Sequence, residues 1–151
     1  MSKQQAIILA VALGSGLGAV LRYTLSITIL TLMGPGLIWG ALATLLVNML
    51  GSWLMGLYAA LTGPDGLLPT GPVMSQFVLT GFCGGFTTFS LFSLEALLWW
   101  EQGYPAMAVG QVMGSVALWM LAVWLGYTQG MAINQRRRAA KAESKKKVDT
   151  D

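Results

Sequence analysis

Residues 80–93 read Thr80-Gly81-Phe82-Cys83-Gly84-Gly85-Phe86-Thr87-Thr88-Phe89-Ser90-Leu91-Phe92-Ser93, in the middle of an apolar stretch running from Val73 to Trp100. The stretch exceeds the ~20 residues that a helix needs to cross the hydrocarbon of a bilayer. Its centre is nonetheless poor helix material. Glycine is unfavourable in helix interiors, and the adjacent Gly84-Gly85 pair predicts a break. A broken helix frees backbone N–H and C=O groups at membrane depth, which is tolerated only where they are buried in protein or line a cavity. Freed carbonyls can hold a cation. Phe89 and Phe92, three residues apart, lie on one helix face. Aromatic rings have a positive edge, and two such edges can face an anion; lipid contact or core packing is the ordinary alternative.

Three more apolar stretches surround this one. The first runs from Ala6 to Met33, interrupted by Arg22, and ends at Gly34-Pro35-Gly36. It is too long for a signal peptide and has no small-residue cleavage site. The second runs from Leu37 to Leu61, before a loop of turn formers, Gly63-Pro64-Asp65-Gly66 and Pro69-Thr70-Gly71-Pro72. After the third, Glu101-Gln102-Gly103-Tyr104-Pro105 turns the chain into a fourth, Ala106 to Tyr127. Tyr23, Trp99, Trp100, Tyr104 and Tyr127 sit near span ends, where amphipathic rings prefer the interface. From Arg136 the composition turns charged and small. The expectation is an all-α membrane protein of four transmembrane helices, the third broken at its centre. Residues 1–130 form its transmembrane domain, and 131–151 form a basic, disordered tail.

Composition agrees. Of 151 residues, 55% are hydrophobic and 10% charged, against about 25% charged in soluble proteins. The chain has no histidine and a single cysteine, Cys83. Ser-His and Cys-His catalysis are therefore excluded, and a transition-metal site and an intrachain disulfide find no ligands or partner. Glu143, Asp149 and Asp151 lie in the tail, leaving only Asp65, Glu95 and Glu101 elsewhere, too few for a paired-carboxylate enzyme. The net charge of +3 comes from basic residues clustered at one end, not from a nucleic-acid-binding face.

The polar residues inside the spans carry the functional signal. Thr44, Asn48 and Ser52 recur every four residues on one face of the second span. Asn48 offers two N–H donors and an acceptor, suited equally to interhelical hydrogen bonding and to lining a pore. Gly14 and Gly18 have the spacing that lets helices approach closely. Arg22 is costly within lipid and must snorkel or face water or protein; beside a water-filled vestibule it would attract anions. In the fourth span Gln111 and Ser115 are four apart, and Gln111 suits helix contact or pore lining equally.

The third-span string resembles the signature of the CrcB/Fluc fluoride channels, Gly-x-x-Gly-Gly-x-Thr-Thr-Phe-Ser-x-Phe, matched from Gly81 through Phe92. The resemblance extends to Gly18–Tyr23, to Gly40–Ser52 around Asn48, and to Gly114-Ser115, touching all four spans. It implies a homodimer of antiparallel subunits with two narrow fluoride pores. It also implies a structural sodium ion at the dimer centre, held by the backbone carbonyls of Gly84 and Thr87. The implied pore residues are Asn48, Phe89 and Phe92, with the hydroxyls or amides of Thr44, Thr88, Ser90, Ser115 and Gln111; Arg22 and Glu95 would lie towards the vestibules. The fourth span departs from the family pattern of Tyr, Asn or Ser four apart. A gapless register puts Ser115 at the middle position, whereas aligning the Gly-Ser pair puts Gln111 there, and both registers stay open.

The function so implied is passive fluoride export that relieves toxicity. The competing class is a four-span multidrug antiporter, which trades protons on a membrane-embedded carboxylate; only Glu95 could serve, near a span end. A non-transporting assembly protein is a third class. Orientation bears on the dimer. Lys3, Arg136, Arg137, Arg138, Lys141, Lys145, Lys146 and Lys147 all lie on the terminal side, and the connections hold no Lys or Arg. The positive-inside rule then favours both termini in the cytoplasm of a protein in the plasma (inner) membrane. A subunit so biased could pair with an oppositely oriented homologue instead of its own copy.

Overall fold

The computed structural model describes residues 2–63 and 66–148, with side chains placed through residue 141; Pro64 and Asp65 of the expected turn, and Asp149 and Asp151 of the tail, lie outside the described residues. All regular structure among the described residues is helical. Four helical stretches are long and apolar enough to cross a membrane: Lys3–Met33, Leu37–Thr62, Pro72–Glu101 and Pro105–Lys141. The chain is a multi-pass membrane protein of the expected four-span, all-helical class.

Helix α1 (Lys3–Met33) starts in a reciprocal cap. The Gln5 N–H donates to Ser2 Oγ at 3.3 Å, and the Ser2 N–H donates to Gln5 Oε1 at 2.8 Å. It stops at Gly34, whose positive φ of 98° suits glycine and whose N–H returns to the Leu30 carbonyl at 2.9 Å. Helix α2 spans Leu37–Thr62. The third span comes in pieces. Pro72 opens a short turn, α3 (Pro72–Ser75), followed by a π-wound segment, Gln76–Cys83, and a last turn, α4 (Gly84–Phe86). Thr87 is extended, with ψ of 159°, and helix resumes as α5 (Ser90–Glu101). The chain ends in α6 (Pro105–Val148), 44 residues long.

The third span is broken, but not at the glycine pair. Gly84 is helical, with φ −65° and ψ −38°, and the break falls at Thr87–Phe89. Gly85 of that pair is occupied by packing, as are Gly14, Gly18 and Gly81, whereas Gly84 meets nothing. A Cβ on Gly14 would lie 2.5 Å from the Phe77 carbonyl oxygen, and one on Gly81 2.9 Å from that of Val11. Side chains at Gly18 and Gly85 would collide with the carbonyls of Phe82 and Ser15. These four positions let α1 and the first half of the third span touch backbone to backbone, the close approach expected of Gly14 and Gly18. The helix ends instead where Thr87 turns its own N–H and its Oγ1 onto the Cys83 carbonyl, at 3.0 and 2.9 Å.

On the other side α2 packs along α6, again through small residues. Side chains at Gly56 and Gly126 would strike the Val123 and Trp53 carbonyls, and Gly130 sits against Ala60 and Leu57. One more turn along α6, Asn134 is 3% exposed and donates to the Ala60 carbonyl at 2.8 Å, while its Oδ1 accepts the Leu67 N–H at 3.3 Å. The packed domain thus reaches beyond residue 130, and the helix runs on to Val148 where the sequence suggested a disordered tail. Physical reason is at hand: residues 131–148 contain no Gly or Pro and are rich in Ala, Lys and Arg, strong helix formers.

The packing makes a sharp contrast between two glycines of α1. Gly18→Ala should destabilise the detergent-solubilised protein by about 1–3 kcal/mol, the scale of overpacking. Gly16→Ala, with nothing within 4 Å of the added carbon, should raise stability by up to about 1 kcal/mol through helix propensity. Thermal unfolding of the two variants checks this; equal melting would remove the glycines from the helix contact.

Candidate functional site

The break strands the backbone of Thr88, and α2 takes it up. Asn48 Nδ2 donates to the Thr88 carbonyl at 2.8 Å, and the Thr88 N–H donates to Asn48 Oδ1 at 2.7 Å. One side-chain amide thus replaces, for one residue, both missing helical bonds. Asn48 is 4% exposed, and this pairing is what makes its burial tolerable. The choice between interhelical contact and cavity lining is therefore not exclusive. One amide hydrogen remains after the Thr88 bond, and Asn48 also lines a cleft of about 200 Å³ together with Ser52, Met55, Thr87, Thr88, Phe89 and Trp119.

The same rearrangement releases two carbonyls. In an unbroken helix the Thr88 N–H would go to Gly84 and the Leu91 N–H to Thr87. The first goes to Asn48 and the second to Thr88 Oγ1 at 3.3 Å. Gly84 is exposed, and a Cβ there would meet nothing within 4 Å. Arg22 stands beside this group: its Nε donates to the Gly85 carbonyl at 3.3 Å, part-buried. It thus faces protein at the end of a helix turn, where a cation complements the carbonyls.

Phe89 and Phe92 are together, ring centroids 5.5 Å apart and tilted by 55°. They differ in exposure: Phe92 is 4% exposed and Phe89 73%. Phe92 also meets Trp119 edge-on, centroids 4.8 Å apart. Ser90 is exposed at the start of α5, its hydroxyl 3.1 Å from that of Thr88.

A second polar group lies between α2, α5 and α6. Thr44 Oγ1 donates to Glu95 Oε1 at 2.6 Å, and Gln111 Nε2 donates to Glu95 Oε2 at 3.1 Å. Glu95, expected near an open vestibule, is 7% exposed within the subunit. A buried carboxylate needs donors, and Thr44 and Gln111 supply one to each oxygen. Gln111 Oε1 is itself buried without a partner. Ser115, one turn further along α6, is buried at 5% exposure. The next residue on that face is Trp119, which the sequence reading missed although the spacing Gln111, Ser115, Trp119 was there to find it. Its Nε1 is buried and unpartnered.

A four-span helical membrane protein with a clamped break, a cleft beside the clamping amide and a ring pair next to it is the class of molecule that this geometry defines. The comparison with known proteins narrows it. Residues 9–127 match the family described as "CrcB-like protein, Camphor Resistance (CrcB)", and this chain belongs to it. It is 43% identical over 129 residues to a protein of Bradyrhizobium diazoefficiens named fluoride-specific ion channel FluC 1, covering 85% of this chain and 87% of that one. It is 43% identical over 126 residues to a fluoride-specific ion channel FluC of Opitutus terrae, covering 83% and 93%. It is 45% identical over 125 residues to the protein of that name from Paramagnetospirillum magneticum, covering 83% and 95%.

Asn48→Ala should cost about 2 kcal/mol or more, because it leaves the Thr88 N–H and carbonyl unpaired. Ser52→Ala, on the same face one turn away, should change stability by less than about 0.5 kcal/mol. Thermal unfolding in detergent measures both; an Asn48→Ala protein as stable as the parent would show that the clamp is not needed to hold the break.

Proposed function

We propose that this chain is a fluoride-selective channel that lets the ion leave the cytoplasm passively through the plasma membrane, working as an antiparallel homodimer around a structural sodium ion. The observation that carries the reading is the clamped break: it sets the hydrogen-bonding residues Asn48, Ser52 and Thr88 around one cleft, with the Phe89 ring on its wall. Fluoride is small and strongly hydrated, so a pore must replace its water shell with closely spaced donors. The amide and hydroxyls supply these, and the positive edges of Phe89 and Phe92 supply a weaker field that holds the ion without trapping it. The names of the relatives support fluoride as the ion.

Thr44, Gln111 and Ser115 continue the polar track along α2 and α6, with Glu95 held between the first two. Thr88 and Ser90 add hydroxyls at the start of α5. The exposure of Phe89 in a single subunit supports a second copy as the missing wall of the pathway. A homologue inserted the other way round would serve the same purpose, and the basic C-terminal end of α6 favours that pairing if it fixes one orientation. The released carbonyls of Gly84 and Thr87 are hard oxygen ligands suited to a hard cation; the first has lost its helical donor to Asn48 and the second to the Thr88 hydroxyl. Sodium bound there would supply positive charge between the two subunits.

Liposomes loaded with fluoride and carrying the purified protein should release it down its gradient, with no proton or drug-cation gradient and with little chloride loss. Phe89→Ile and Phe92→Ile keep bulk and remove the positive ring edge, and each should slow release by roughly tenfold. A fluoride electrode follows the release. A parent protein that releases nothing sinks the reading, and an isoleucine variant with parental rates removes that ring from the path.

Exhaustive replacement of sodium by a large organic cation during purification should dissociate the dimer or silence the protein. Cross-linking and fluoride release report the two effects. Unchanged dimer and unchanged release would exclude a structural cation.

A further inference from the structure

We infer that Trp119 is an additional anion ligand of this pathway, through its indole N–H. The inference rests on the channel reading above and names a residue that reading does not use. Indole nitrogen is a donor only, and a buried Trp N–H ordinarily finds an acceptor. Trp119 Nε1 finds none. The residue lines the same cleft as Asn48, Thr87, Thr88 and Phe89. No acceptor within the subunit is bonded to that nitrogen. The indole N–H is thus a buried donor without a partner on a residue of the cleft, and a bare halide would supply the acceptor.

The nitrogen is buried, and the Phe92 ring packs on the same indole, centroids 4.8 Å apart at an interplanar angle of 68°. Phe92 in turn touches Phe89, which is open at the cleft. An anion that reaches the ring pair and turns Phe92 aside would loosen the packing around the indole and gain access to its N–H. Trp119 then takes the ion over from the Asn48 side and passes it on towards Ser115 and Gln111, which lie one and two turns back along the same face of α6. The indole so acts after the rings, and its bulk also narrows the path at that point.

The test pairs flux with a direct readout of the indole. Trp119→Phe keeps an aromatic ring and removes the N–H; it should slow fluoride release from liposomes by roughly tenfold, the scale of one hydrogen bond to an ion, with the parental melting temperature. In protein labelled with 15N-tryptophan, one indole N–H resonance, identified by its absence from Trp119→Phe, should move on addition of sodium fluoride and stay put with sodium chloride. A Trp119→Phe protein that releases fluoride at the parental rate or faster overturns the inference, and so does an indole resonance that fluoride does not move. If the parent itself releases no fluoride, the channel reading has failed, and the indole titration alone then decides whether Trp119 binds the anion.

Discussion

Within a bilayer every backbone N–H and C=O must find its partner in the protein, because lipid offers none. The third span breaks this rule at Thr88, and Asn48 repairs it with two hydrogen bonds of 2.8 and 2.7 Å. The other features of the site follow from that exchange. With the Thr88 N–H diverted to an amide, the Gly84 carbonyl loses its helical donor. With the chain turned at Thr87, the Phe89 ring is thrown out to 73% exposure while Phe92 stays inside. The cleft exists because two half-helices end there and no side chain fills the gap.

The repair works only if the two half-helices are held still. The first half is held by α1 through Gly14, Gly18, Gly81 and Gly85, where backbone meets backbone. Phe86, with no exposed surface, anchors its last turn under α2, where a side chain at Gly51 would strike Thr87 and Phe86. The second half is held by α6, partly through Phe92 on Trp119 and partly through Gln111 on Glu95. The polar contacts near the break thus tie α2, α5 and α6 into one frame around it.

Much of this was legible in the sequence. Four apolar stretches, glycines four apart and a polar stripe at helical spacing fix the spans and the faces that meet. Composition located the break only to within a few residues: Gly84-Gly85 has the weakest helix propensity, but packing of Gly85 against α1 overrides propensity, and the helix ends three residues after Gly84. Periodicity put Thr44 and Asn48 on one face without revealing that one serves Glu95 and the other the broken backbone, since partner choice depends on where three other helices sit. Glu95 was readable as a costly charge, but its enclosure depends on Gln111, sixteen residues away across a turn. Trp119 escaped because a tryptophan in an apolar span is ordinary, and only the absence of a partner for its nitrogen sets it apart.

The backbone-to-backbone contacts also bear on how such a chain can change over generations. A side-chain clash can be relieved by a second substitution that trims the neighbour. At Gly14, Gly18, Gly56, Gly81, Gly85 and Gly126 the atoms in the way belong to the main chain of the facing helix, and no substitution removes a carbonyl. A lineage that loses one of these glycines has no compensating change open to it at the contact itself, short of moving a whole helix. Drift is thereby confined to the outward faces, where the lipid accepts almost any apolar residue, and the inner seams admit reversion alone.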